Sequence, residues 1–274
     1  MTGRSKVRPF DFESRGVSIR LTSNRQELVD WAEDIARQAL LNDVLVIEGQ
    51  GPSFTSVLEL TALENGEFQL TQDSRFEGVN ADIEAFRRHL NSLVRVTVAK
   101  NVSDRMFMHA GAVAWKGRGI IFPGDSFVGK STLVGELIKN GADYLSDDYA
   151  IFDENGHLYE FPRTLTIRSD GPGHLPEEFT AEELGARVAK GPIPVAVICL
   201  TSYEPDFEWS PSYLSAGQAV LEMVPYTFSF VNRPEFSLNV LKKLTEHAII
   251  VSSKRGSADT FAKTFLNFID KQGD

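Results

Sequence analysis

The segment Gly119–Asp153, GIIFPGDSFVGKSTLVGELIKNGADYLSDDYAIFD, constrains the chain more tightly than any other. An apolar run breaks at Pro123-Gly124, a glycine-flanked lysine follows, a helical run closes at Gly141, and a second apolar run is interrupted by Asp147 and Asp148. Gly124, Gly129, Lys130 and Ser131 satisfy G-x-x-x-x-G-K-[ST] at every position, with a strand pattern before and a helix pattern after. Each residue type has a physical reason. The glycines let the backbone wrap until successive N–H groups face an anion, and the helix that follows adds its positive N-terminal end. The sequence therefore predicts a phosphate cradle over Gly124, Asp125, Ser126, Phe127, Val128, Gly129, Lys130, Ser131 and Thr132. Lys130 would neutralise the β- and γ-phosphates of ATP, and the Ser131 hydroxyl would ligate Mg²⁺.

Two adjacent carboxylates in an apolar strand repel one another and resist desolvation unless something pairs with them. Mg²⁺ beside the phosphate cradle is the expected partner of one, which frees the other for proton abstraction. The sequence Ser-Asp-Asp is also good turn chemistry, so a solvated turn is the competing reading.

The rest of the composition sets limits. A chain of 274 residues, 42% hydrophobic and 24% charged, lies in the globular range. A net charge of −10 argues against a nucleic-acid partner, whose phosphates select basic surfaces. Cys199 is the only cysteine, so no intrachain disulfide forms and a reducing, cytoplasmic setting is expected. The first residues, MTGRSKVRPFDFESRG, lack the apolar stretch of a secretory signal. No apolar run approaches the ~20 residues that span a bilayer, so no membrane is expected.

Two textures divide the chain. Up to residue 103, strand patterns at Gly16–Ser23, VLVIEG, SVLELTAL and EFQLTQD accompany helix patterns at Asn24–Leu41, behind a Ser/Asn cap, and at Asn80–Val102. These predict a small α+β domain over 1–103. Over 104–274 the runs RMFMHAGAVAW, GRGIIFPG, ADYLSDDYAIFD and VAVICLTSY are apolar enough for strands buried on both faces, an α/β texture. LSAGQAVLEMVPYTFSF, EFSLNVLKKLTEHA and SADTFAKTFLNFID read as helices, with IIVSSK as a short strand. Ser169–Pro194, polar and rich in Gly and Pro, reads as a surface loop with a short helix.

With these residues in place, the chain resembles the catalytic domain of HPr kinase/phosphorylase, and more closely the looser group of HPr-kinase-related bacterial proteins. The likeness rests on MHAGAV with His109, GDSFVGKS at Gly124–Ser131, and GELIKNGADYLSDD through Asp148, and covers about Arg105–Arg168. It implies an α/β P-loop core of the HPr kinase and phosphoenolpyruvate carboxykinase kind. It further implies Asp147 as the base toward an accepting serine, His109 as its assistant, and Asp148 with Ser131 as Mg²⁺ ligands. In that family the site also runs in reverse, with phosphate attacking a phosphoserine.

The departures are specific. The family's EIRG signature corresponds here to LTIRSDG, with Thr166 in place of the metal-binding Glu and Arg168 retained. Phe127 replaces a small glycine, and neither the HPr-binding segment nor the family's N-terminal domain is recognisable. The expectation is ATP-dependent transfer to a Ser or Thr hydroxyl of a protein or peptide, with Arg168 or Arg163 neutralising the moving phosphoryl group. A nucleotide-dependent binding module with little transfer, and a small-molecule kinase, are the alternatives. Self-association is left open.

Overall fold

A computed structural model of the protein describes residues 7–48, 53–125, 128–167 and 177–272. The chain divides into two compact units, Met1–Ser103 and Asp104–Asp274.

The first unit runs β1 (Phe10–Ser14), β2 (Val17–Ser23), α1 (Gln26–Ala39), β3 (Leu45–Val46), β4 (Ser56–Ala62), β5 (Phe68–Gln72), β6 (Arg75–Asn80) and α2 (Ile83–Asn101). Its sheet has the order β3-β1-β2-β4-β5-β6, antiparallel except for β2 beside β4, whose crossover is α1. Phe12, Ile19, Leu21, Leu58, Leu60 and Leu70 from the strands are buried together with Ala32 of α1 and Phe86, Leu90 and Val94 of α2.

Local chemistry explains where this unit departs from its sequence pattern. β1 lies in the polar lead and was not expected. Its signal is Arg15-Gly16, both at positive φ, which makes the two-residue turn that fits the twist of a hairpin. Asp73-Ser74 does the same before β6. The expected Ser/Asn cap does not form, because Asn24 instead exchanges two hydrogen bonds with the main chain of Ala62 (2.9 and 3.0 Å) and Ser23 donates to Leu60 O. α1 therefore begins at Gln26 without a side-chain cap. α2 begins at Ile83, where Asp82 Oδ1 accepts from the Ala85 N–H at 2.7 Å. VLVIEG contributes only Leu45–Val46, a short exposed edge on β1.

The second unit runs β7 (Met106–Trp115), β8 (Arg118–Pro123), α3 (Lys130–Lys139), β9 (Asp143–Ser146), β10 (Tyr149–Phe152), β11 (His157–Tyr159), β12 (Leu165–Ile167), β13 (Glu177–Phe179), β14 (Ile193–Tyr203), β15 (Ser212–Tyr213), α4 (Ala216–Met223), α5 (Pro234–His247), β16 (Ile249–Arg255) and α6 (Ala258–Gln272). The main sheet has the order β11-β10-β7-β8-β14-β16-β15, with β9 also on β7. β8, β14 and β16 are parallel, and β7 and β10 run antiparallel to their neighbours.

Side chains alternate between two cores. Val113, Ile120, Phe122, Val197 and Cys199 face Leu133, Leu137, Phe261 and Phe265 of α3 and α6. Ala112, Ala114, Ile121, Ile198 and Leu200 face Ala219, Met223, Val240 and Leu241 of α4 and α5. Strands covered on both sides must be apolar at every position, which is why VAVICL carries no alternation. The unit is an α/β fold in three layers around a mixed sheet.

Two expected elements are reshaped. The helix over LSAGQAVLEMVPYTFSF stops at Met223, because Pro225 cannot continue it, and passes into short 3₁₀ turns at Val224–Tyr226 and Phe228–Phe230. Within Ser169–Pro194, residues 169–176 lie outside the described part. The described remainder holds β13, the first two residues of β14 and no helix. It runs beside β9 instead, with Tyr144 N–H donating to Arg187 O and Ala189 N–H to Tyr144 O. Among the described residues no helix is long and apolar enough to cross a membrane.

α3 reaches the sheet because Gly111 of β7 lies beneath it. A Cβ at Gly111 would sit 2.9 Å from Val134 Cγ2, a stiff β-branched side chain in a helix. Gly111→Ala should therefore lower stability by about 1–3 kcal/mol through overpacking. Denaturant unfolding measures this, and an unchanged midpoint would show that α3 is free to shift.

Candidate functional site

The loop after β8 leads straight into α3, and its geometry follows from three main-chain features. Gly124 N–H donates to His109 O at 3.2 Å, tying the loop's start to β7. Gly129 has φ 82°, a left-handed conformation that glycine adopts without penalty, and it occupies the cap position of α3. No side chain caps the helix there, so the N–H groups of Lys130, Ser131 and Thr132 open its positive end. Ser126 and Phe127, expected in the cradle, lie outside the described residues, and Arg168 does as well.

Lys130 is buried, and its Nζ donates to Gly124 O at 2.9 Å and to Asp125 O at 2.5 Å. Burial pushes its pKa down to about 8, opposed in part by the charges of Asp125 and Asp147. Lys130 is thus folded back onto the carbonyls of the loop that precedes it. Val128, Ser131 and Thr132 are half-buried, and Asp125 is exposed.

Asp147 and Asp148 occupy the break between β9 and β10. These two strands follow one another along β7, from Ser146 opposite Ala112 to Tyr149 opposite His109. Ser146 shapes the break, its Oγ accepting from the N–H groups of Asp148 (3.2 Å) and Tyr149 (3.0 Å). Asp147 is buried, and its Oδ1 lies 3.0 Å from the Tyr144 hydroxyl, which also lies 3.1 Å from Arg163 O. One hydroxyl proton serves one of these acceptors at a time. Burial, with the charge of Asp147 behind it, pushes the Tyr144 phenol far above its usual range.

Asp148 faces a different set of groups. Its Oδ1 lies 3.7 Å from His109 Nε2, and its Oδ2 lies 3.5 Å from Arg163 Nη1. The His109 ring stacks on Phe228 at 6.2 Å and 14°, and meets Tyr149 edge-on at 6.3 Å. His109, expected beside Asp147, is thus paired with Asp148. Thr166 is exposed in β12, opposite Glu178 of β13, while its neighbour Ile167 packs on Gly135 of α3.

Sequence reasoning missed two residues of this site. Tyr144 was hidden as one more large residue in an apolar strand, and its hydroxyl three positions before Asp147 was the available signal. Arg255 ends β16, and its Nη2 donates to Val128 O at 3.3 Å and to Gly129 O at 3.1 Å. Its signal was position, since ligands of open α/β sheets bind beyond the carboxyl ends of parallel strands.

Neither a protein-family model nor any curated protein matches the chain. Among the described residues no group of three or more His, Cys, Asp and Glu side chains stands close enough to hold a metal ion. The Ser131 hydroxyl and the aspartate carboxylates are hard oxygen donors, and Mg²⁺ is typically held by one or two carboxylates completed by substrate phosphates. The donor chemistry therefore fits a magnesium ion that arrives with a nucleotide.

Tyr144→Phe removes the hydroxyl donor and leaves a buried carboxylate oxygen unsatisfied, at a cost of about 1–3 kcal/mol. Chemical denaturation at neutral pH checks this. Unchanged stability would show that neither Asp147 nor the Arg163 main chain depends on this hydroxyl.

Proposed function

We propose that the unit formed by residues 104–274 binds Mg²⁺-ATP on Gly124–Thr132 and transfers its γ-phosphoryl group to a Ser or Thr hydroxyl of a protein or peptide. The observation that carries this reading is the pairing of His109 and Arg163 with Asp148, next to an uncapped helix N-terminus and a buried lysine. Phosphoryl transfer asks a protein mainly for positioning and charge neutralisation. Lys130 and the first-turn N–H groups would supply the charge for the β- and γ-phosphates, and Arg163, paired with Asp148, would add a cation toward the transferring group. A magnesium ion, when bound, would withdraw charge from the phosphate oxygens.

In this scheme the acceptor hydroxyl loses its proton to a carboxylate as its oxygen bonds to the γ-phosphorus, and ADP leaves with the bridging oxygen. The resemblance to HPr kinase/phosphorylase assigns the base to Asp147 and the metal to Asp148. The pairing of His109 with Asp148, and the reach of Asp147's charge to Lys130, support the opposite division. Asp148 is then the base, oriented by His109 and Arg163. Asp147 joins Ser131 on the metal side, its second oxygen fixed by Tyr144.

Asp148→Asn should keep Mg²⁺-ATP binding and lower transfer by about 10²–10⁴-fold, the usual loss on removing a general base. Asp147→Asn should weaken the magnesium dependence of nucleotide binding. Calorimetry with and without Mg²⁺, beside a transfer assay, separates the two, and the reverse pattern would return the roles to those of the resemblance.

A second reading, a nucleotide-dependent binding module with little transfer, is favoured by Thr166, which offers no carboxylate where the kinases it resembles have one. Incubation with γ-labelled ATP, trial Ser/Thr peptides and cell extract distinguishes the readings. Label on a peptide or protein supports the proposal. Label on a metabolite points to a small-molecule kinase, and tight ATP binding without label supports the module.

A further inference from the structure

Arg255 is only 3% exposed, at the carboxyl end of β16. Its Nη1 donates to Gly256 O at 3.1 Å, and its Nη2 divides between Val128 O and Gly129 O. Its Nε is buried without a hydrogen-bond partner. The guanidinium also lies 5.7 Å from the Tyr203 ring centroid and 6.0 Å from that of Phe261. Among the described residues no carboxylate forms an ion pair with it. Burial acts to lower its pKa, as expected for a charge held in a poorly solvating place.

This arrangement is costly for the protein alone. A buried charge is ordinarily neutralised by a partner of opposite sign, and carbonyl dipoles offset its desolvation only in part. The loop is nevertheless built around it. A Cβ at Gly129 would meet Arg255 Nη2 at 2.8 Å, so the glycine that the loop needs for its left-handed turn is also the residue that lets the guanidinium close in from below. Gly129 O also accepts from Leu133 N–H at 3.0 Å as the first bond of α3, so Arg255 meets the loop at the carbonyls that lead into the helix. Lys130 is in a similar position, bonded to two other carbonyls of the same loop.

We infer that Arg255 is the second cation of the phosphate loop: a positioning residue that fixes the Val128–Gly129 peptides from beneath and whose charge is balanced by a di- or triphosphate bound above them. The inference rests on the nucleotide reading of the loop. It adds that the site selects ligands by the number of their phosphate charges, with a contribution that survives in a ligand with no base or sugar at all.

The test is calorimetric titration of the full chain and of Arg255→Gln and Arg255→Lys with pyrophosphate, ADP and AMP, all with Mg²⁺. Arg255→Gln should lose about ten- to hundredfold in affinity for pyrophosphate and ADP, the scale of charged hydrogen bonds, and clearly less for AMP. Arg255→Lys keeps the charge and should recover part of the loss. A glutamine variant that binds pyrophosphate like the unmodified protein overturns the inference and leaves the nucleotide reading intact. Equal losses in the Gln and Lys variants, or equal losses for all three ligands, reduce Arg255 to a shape-filling residue and also overturn it. If the unmodified protein binds neither pyrophosphate nor ADP, it is the nucleotide reading that fails. A readout that needs no neutral variant is the ¹⁵Nε–H resonance of Arg255, assigned by its loss in Arg255→Lys. Pyrophosphate should shift it, and an unmoved resonance at saturation contradicts the coupling.

Discussion

Two buried cations hold one loop. Lys130 bonds the carbonyls at its start, Arg255 bonds the carbonyls just before α3, and neither has a carboxylate in hydrogen-bonding contact among the described residues. Cations buried against main-chain oxygens are costly on their own, a cost that the polyanion of the proposed function would offset. The remainder of the second unit positions these two side chains. β8 delivers the loop, β16 delivers Arg255 from two strands away, and the tight seating of α3 over Gly111 fixes where the helix N-terminus points.

The same sheet explains why two adjacent aspartates take different surroundings. At the break between β9 and β10, which Ser146 Oγ shapes by accepting from the N–H groups of Asp148 and Tyr149, Asp147 turns to Tyr144 and Asp148 toward His109 and Arg163. A carboxylate held by a tyrosine and within the field of a lysine suits a fixed structural or metal-side role. Asp148 instead stands 3.7 Å from His109 Nε2 and 3.5 Å from Arg163 Nη1, the surroundings that support the proposed base role. This difference in surroundings is set by the break between the two strands, and the identity of the residues alone does not contain it.

Much of the fold was legible because covered strands and amphipathic helices write their periods into the sequence. The turn between β8 and α3 was legible because its glycines and lysine sit at fixed spacing, with Gly129 at the positive φ that favours glycine. What remained hidden depended on long-range contact. β1 was obscured because a polar Asp11, paired in the fold with Arg20, sits between Phe10 and Phe12. The cap of α1 was misjudged because Asn24 bonds a strand far along the chain, which no local pattern encodes. Tyr144 and Arg255 were missed for the same reason, since a buried hydroxyl and a strand-end arginine acquire meaning only from residues that the topology brings to them. Thr166 is exposed, and its own strand alternation turns it away from Leu165 and Ile167, so the spacing of the TIR motif carried less information about the site than the loop did.

We propose that Lys130 exchanges its main-chain carbonyls for phosphate while Arg255 keeps those of Val128 and Gly129. A crystal structure with a non-hydrolysable ATP analogue and Mg²⁺ tests it most directly. The account predicts the β- and γ-phosphates over the N–H groups of Gly129–Ser131, with Lys130 Nζ released from Gly124 O and Asp125 O onto phosphate oxygens and Arg255 still beneath Val128 and Gly129. A nucleotide bound elsewhere on the molecule, or bound at the loop with Lys130 still on its own carbonyls, would contradict it.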